Sequence, residues 1–429
     1  GAAGRATGRG GRGGGGGGGA GPPALAARAI GEDGGMRRID PSERRARLAW
    51  RHRLAPEARA GDVVEAARSV VALHATDPAT VYLSAWARVD GLTPADVDRA
   101  LYAERTLVKH MAMRRTLFAV PREALDDVQA GASARVAERE RRRLIADVER
   151  AGLHADGAAW LARAGDAVVA ALADGRIASM QELRDELPGL QGHLEHGVGR
   201  SWGGRVPLAP RVLTVLSAEG RIVRAANDGG WTVSRPRWAA MDRWLGAPLA
   251  PRDPADGVRA LVRRWLERFG PGTEQDLKWW LGGTLAAVRR ALAELRAVAV
   301  DLGGGRRGWL LPDDLEPPPP VAPWAALLPP LDPTTMGWAE RDWYLGPHRA
   351  QLFDSTGNGG PAMWWDGRIV GGWRQDPDGV VELQPLEDVG ADALSAFAAE
   401  AERLTAWLGG RRVLPRFPSP LFASRRTVP

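Results

Sequence analysis

The stretch that decides the fold is residues 273–311, TEQDLKWWLGGTLAAVRRALAELRAVAVDLGGGRRGWLL. Thr273, with Asp276 three places on, reads as a helix-capping pair with a shorter acid than usual, and it opens a helix through Leu281. Gly282-Gly283 breaks that helix, and Thr284 opens a second one running to Leu295. Val298–Leu302 and Gly308–Leu311 then read as two strands joined over Gly303–Gly305. An amphipathic helix, Pro254–Phe269, precedes the set, with a turn at Gly270–Gly272. Helices followed by a hairpin over a glycine turn make the winged-helix plan.

Working upstream, residues 176–250 follow the same plan. Ser179 caps a helix through Leu187, a helix Pro210–Glu219 follows, and strands Arg221–Arg224 and Trp231–Ser234 flank a turn at Asn227–Gly230. This is an internal repeat of structure more than of sequence. Residues 41–175 read as mainly helical, with Asp62 as an N-cap and Pro94 opening a further helix. Between Thr106 and Val120 the pattern turns extended, suggesting a hairpin. The run Arg139 to Arg143 sits in a charged helix over 122–150 and reads as its solvated face, with phosphate contact as the alternative.

Downstream, Pro317–Pro320 and Pro323 mark a stiff linker. Beyond it, short apolar runs alternate with turns such as Asp366-Gly367 and Pro377-Asp378-Gly379, which suggests an antiparallel sheet or small barrel. The expected fold class is therefore α+β: tandem winged-helix domains with a C-terminal β-barrel-like domain. The expected boundaries are a glycine-rich leader over 1–35, an N-terminal helical or winged-helix domain over 36–175, a second winged helix over 176–250, a third over 251–316, and the barrel-like domain over 317–429. The leader is low-complexity sequence that cannot bury enough apolar surface to fold, and Met36 is expected to be the true start.

Composition narrows function by exclusion. With 429 residues, 44% hydrophobic and 26% charged, the chain is ordinary globular material. No cysteine is present, which excludes disulfides, thiolate metal sites and cysteine nucleophiles. No 18-residue apolar run lacks charges, so a membrane span is not expected. The pI of about 10.4 overstates the basicity. Only Lys109 and Lys278 among 58 cations are lysines, and arginine's high pKa inflates the pI at a net charge of +6. That charge permits a nucleic-acid partner without requiring one.

Four pieces then carry a resemblance. They are Leu73-His74-Ala75-Thr76-Asp77-Pro78, the segment Leu107–Pro121 with Met113-Arg114-Arg115-Thr116-Leu117, the two winged-helix repeats, and Leu331–Asp342 followed by Trp365-Asp366-Gly367-Arg368-Ile369-Val370-Gly371-Gly372-Trp373. Together they resemble the bacterial winged-helix DNA glycosylases of the AlkZ and YcaQ type, over roughly residues 40–420. The resemblance implies tandem winged helices around a cleft sized for DNA, and cleavage of the N-glycosidic bond of bulky N7-alkylated purines. The family's Gln-x-Gln or Gln-x-Asp triplet falls here on His74-Ala75-Thr76, a departure at both chemical positions.

An N7-alkylated purine is cationic while attached and leaves as a neutral base with little help, so the remaining task is to stabilise an oxocarbenium-like sugar and direct one water. On that basis His74 is the expected water-positioning group or base, Asp77 the electrostatic stabiliser, and Thr76 the orienting group. The same residues admit a structural reading, in which Asp77-Pro78 caps the following helix and His74 ends the preceding one. Lys109, His110, Arg114 and Arg115 are the expected DNA-binding residues, meeting phosphates or lining the cleft, against the alternative of an ordinary charged hairpin. Trp279-Trp280 and Trp364-Trp365 are expected to be core. The Ser201–Arg205 loop lacks nucleotide-loop context, and His193 with His196 lacks a third ligand, so no metal and no cofactor are expected.

Three functions follow from this reading. The first is a monofunctional DNA glycosylase working as a monomer on damaged double-stranded DNA, in the cytoplasm at the nucleoid, for repair or genotoxin self-resistance. The second is a non-catalytic winged-helix DNA-binding or regulatory protein, and the third a hydrolase of free nucleosides or another glycosidic substrate.

Overall fold

The computed structural model describes residues 35–196 and 204–425. All but the last residue of the leader expected over 1–35, and the loop residues Ser201–Gly203, lie outside the described residues. The remainder mixes helices with small antiparallel sheets.

The first unit starts with helix α1 (Pro41–Arg51), capped by the Asp40 carboxylate, and helix α2 (Val63–Ser69), capped by Asp62. A two-residue strand β1 (Leu73–His74) follows, then helix α3 (Pro78–Trp86). The expected hairpin is present as β2 (Leu107–Ala112) and β3 (Thr116–Pro121). Its sheet has the order β1-β3-β2, with His74 opposite Phe118 and Phe118 opposite His110. Both residues at the hairpin tip, Arg114 and Arg115, sit in the left-handed region at φ 55° and 63°. Such backbone persists in non-glycine residues only where surrounding structure imposes it.

Helix α4 (Ala134–Arg150) and helix α5 (Gly157–Ala171) lead into the second unit. That unit holds β4 (Ala178–Ser179), α6 (Met180–Glu186), α7 (Leu208–Ala218), β5 (Ile222–Asn227) and β6 (Pro236–Ala240), with sheet order β4-β6-β5. Ser179 and Glu182 form a reciprocal capping box at the start of α6. A ribbon pairing His193–His196 with Gly204–Pro207 is added between the two helices. The core of this unit reaches back to Leu144, Val148, Trp160 and Leu161, so α5 and the second half of α4 pack here rather than with the first unit.

The third unit comprises α8 (Pro254–Phe269), α9 (Glu274–Leu281), α10 (Leu285–Glu294) and the hairpin β7 (Val298–Asp301) with β8 (Arg307–Leu310). Thr273 and Asp276 make the capping box expected from sequence, with its acid fully buried. Asp276 Oδ1 also accepts the amides of Ala339 and Glu340, both at 2.9 Å, which fastens the C-terminal region to α9.

The C-terminal region corrects the expected barrel. β9 (Ala325–Leu328), β10 (Ala362–Trp365), β11 (Arg368–Gln375) and β12 (Val381–Pro385) form an open antiparallel sheet in that order. The long segment between β9 and β10 supplies no strand. It folds instead into short helices at Pro333–Met336, Asp342–Leu345 and Arg349–Leu352, leaving too few strands for closure. Helix α11 (Gly390–Leu408) buries Phe397 and Leu404 in the shared core.

First unit, third unit and C-terminal sheet share one contiguous apolar core, from Leu48 through Trp265 to Leu404, which Val223, Ala225 and Ala239 of the second unit also join. A polar staple runs through it. Arg88 on the first unit meets Asp332 in a bidentate pair at 2.8 and 2.9 Å, and neither side chain is exposed. Ser84 Oγ donates to the same carboxylate, and Thr334 Oγ1 accepts from Arg88 and contacts His52 Nδ1. The Arg88 and Asp332 charges answer each other, the condition under which a buried ion pair is tolerated, although Arg88 Nε is left without a partner.

Candidate nucleic-acid interface

The segment joining β1 to α3 places three side chains in about one turn of chain. Asp77 caps α3: its Oδ1 accepts from Ala79 N–H at 3.2 Å. Its Oδ2 accepts the Arg416 amide at 2.9 Å, so a segment from the far end of the chain closes over it. Asp77 is only 3% exposed. Burial pushes its carboxyl upward, opposed by these two amides and by the Arg416 charge.

His74 is 5% exposed and sets its ring edge-on to Phe118 at 5.2 Å. Burial, and then the nearby Arg114 cation, hold its pKa at about 3, with Asp332 opposing. The imidazole is therefore neutral at physiological pH. Its Nδ1 takes the Thr76 N–H at 3.4 Å, which leaves the ring proton on Nε2. The Thr76 hydroxyl is buried without a partner. A base of such low pKa is weak near neutrality. His74 and Asp77 are each nearly covered as the chain stands.

The hairpin tip supplies the cations. The Arg114 guanidinium lies 3.9 Å from the centre of the Trp279 ring, and that of Arg341 lies 4.9 Å from the same ring and 4.7 Å from Phe353. Burial and the repulsion of Arg341 pull Arg114 to about 10, and its Nε is buried without a partner. Gly282, at φ 62°, lets α9 end against the tip: a Cβ there would sit 3.2 Å from Arg114 N and Cγ. Arg115 is exposed and paired with Glu140 at 2.8 Å. Trp279 is thus a half-buried platform between two cations, while Trp280 and Trp364 are core, and Trp365 packs at the core edge 6.2 Å from Phe397.

Lys109 and His110 need correction, since neither is an exposed cation. Lys109 donates to the Tyr102 hydroxyl at 2.6 Å; burial and Arg224 pull it to about 8. His110 is fully buried, with Nε2 2.8 Å from Gln129 Oε1, and burial lowers it to about 4. Both faces of the hairpin are covered, one by Tyr102 and the other by Gln129, so alternation along β2 does not deliver a solvent face. Among the described residues no group of three His, Asp or Glu could hold a metal, and no helix is long and apolar enough to cross a membrane. Sequence reasoning missed Arg341, Trp279 as a platform and Arg416, because only tertiary contact brings them to the tip and to Asp77.

The family model described as DNA glycosylase AlkZ-like matches residues 67–407. Among solved structures, the Streptomyces sahachiroi DNA glycosylase AlkZ superposes with a TM-score of 0.66 at 19% identity, over 87% of this chain and 98% of that one. At that identity the likeness is one of fold. No curated protein matches the chain.

Proposed function

The chain belongs to the AlkZ-like DNA glycosylase family, and from that premise we propose that it hydrolyses the N-glycosidic bond of bulky N7-alkylated purines in double-stranded DNA. Residues 178–240 and 254–310 are read as winged helices that grip the duplex, with the first unit carrying the chemistry. The observation that supports this most is a pair of buried polar groups left without partners, the Thr76 hydroxyl beside His74 and Asp77 and the Nε of Arg114 at the hairpin tip. Buried polar atoms are almost always satisfied, so such groups call for a ligand or a water.

In this reading Thr76 and the Nε2–H of His74 hold the attacking water. Asp77, desolvated by burial, faces the positive charge that develops on the sugar and is its electrostatic stabiliser. The leaving purine is already cationic and asks for no acid, metal or cofactor. Arg114 and Arg115 meet phosphates, and the protein acts as a monomer. For the substrate to reach Asp77, the Arg416 segment has to shift.

A second reading has a specific observation in its favour. The near-complete cover over His74 and Asp77 suits a protein that binds DNA without cutting it. Incubating purified protein with duplex DNA carrying N7-alkylguanine separates the two. A glycosylase releases the alkylated base, and His74→Ala abolishes release while DNA affinity stays within a few-fold. Tight binding with no release by the wild type, across several bulky adducts, leaves only the binder.

A further inference from the structure

His74, Phe118 and His110 share one face of the first sheet, because they stand opposite one another in register. Lys109 and Met111 alternate to the other face, which meets the second unit. Between Met111 and that unit lies a cavity of about 580 Å3, whose walls include Leu213, Trp238 and Arg224. Pockets for small organic molecules run from roughly 300 to 1,000 Å3.

Two donors at this cavity are unsatisfied. Arg224 Nε and Trp238 Nε1 are both buried without a partner, and the guanidinium carbon lies 5.2 Å from the Trp238 ring. The surrounding charge is lopsided. Arg224 and Arg235 stand on the cavity wall, and Arg224 repels Lys109 and is repelled by Arg416. Asp98, the carboxylate that opposes Lys109, is engaged by the Tyr82 hydroxyl at 2.5 Å. Asp228 on the cavity wall is paired with Arg237 at 3.1 Å.

We propose that this cavity binds a planar aromatic molecule carrying an anionic group, with the ring between Met111, Leu213 and Trp238 and the anion at the Arg224 end. Apolar walls accept the ring, the two orphan N–H groups donate to its oxygen or nitrogen atoms, and the surplus of cations selects negative charge. A free aromatic acid and a nucleotide turned out of a DNA strand both have this chemistry. The site does not depend on base excision: a chain without glycosylase activity would bind the same molecules.

Calorimetric titration of the full chain tests it with naphthalene-2-carboxylate, its uncharged carboxamide, and deoxyguanosine 5′-monophosphate. The carboxylate is expected to saturate a single site and the carboxamide to bind more weakly. Arg224→Met should weaken the carboxylate about tenfold, ~1.4 kcal/mol, and Leu213→Trp, which fills the cavity, should remove binding. Displacement of the carboxylate by the nucleotide assigns the site to a strand-borne ligand; failure to displace assigns it to a free acid. The proposal is overturned if neither anion gives a saturable isotherm. It is equally overturned if wild type binds acid and carboxamide alike, a comparison that needs no variant to fold.

Discussion

Replacing His74 by glutamine should remove part of the protein's acid sensitivity. The folded imidazole is neutral, with a pKa held at about 3 by burial and by Arg114. In the unfolded chain the same ring titrates near 6.5. Below that value the unfolded state takes up a proton that the folded state refuses, so stability is full above about pH 6.5 and is lost progressively toward pH 3. Between pH 7 and pH 5 this one residue should cost about 2 kcal/mol, at about 1.4 kcal/mol per unit below the unfolded pKa. Glutamine keeps a donor and an acceptor but does not titrate. His110, also held low by burial, is present in both proteins and cancels in the comparison. Urea unfolding followed by tryptophan fluorescence at the two pH values gives the quantity needed. Wild type should lose about 2 kcal/mol more than His74→Gln over this range. Equal losses in the two proteins would refute the claim that His74 is buried and uncharged, and with it the positioning role.

Three further outcomes are expected. Asp332→Ala strands the Arg88 guanidinium in the core and should cost about 3–5 kcal/mol in the same unfolding assay, whereas replacing both residues by apolar ones of similar volume should cost far less. Neutralising Arg114 or Arg115 to glutamine should make DNA affinity less steeply salt-dependent, by about one unit of slope for each lost phosphate contact; an unchanged slope would give those arginines a structural role only. Gly282→Ala places a Cβ against the hairpin tip at a left-handed φ and should lower the melting free energy by about 1 kcal/mol, with wild-type behaviour arguing against close packing of tip and α9.

Much of the local structure was legible because its cause is local. Thr273 with Asp276, Ser179 and Asp62 are caps that act over about three residues, and each forms as read, Ser179 gaining Glu182 as its reciprocal partner. The hairpin at 107–121 was legible from its change of period. Boundaries were less so: Leu144 and Trp160 carry apolar side chains that helical spacing marks as buried, but spacing does not say against which unit. The barrel was misread because alternating short runs look alike whether a sheet closes or stays open, and the segment between β9 and β10 turned out helical.

What the sequence determined alone was the kind of elements and the residues at the β1–α3 junction, since capping, periodicity and glycine turns act over a few neighbours. The tertiary structure decided the charge and exposure of those residues. His74 becomes neutral because Phe118 and Arg114 crowd it, Asp77 is covered because Arg416 arrives from 339 positions away, and Lys109 turns inward to Tyr102. Solvation is a property of everything packed around a group, and most of what surrounds these three is distant in the chain.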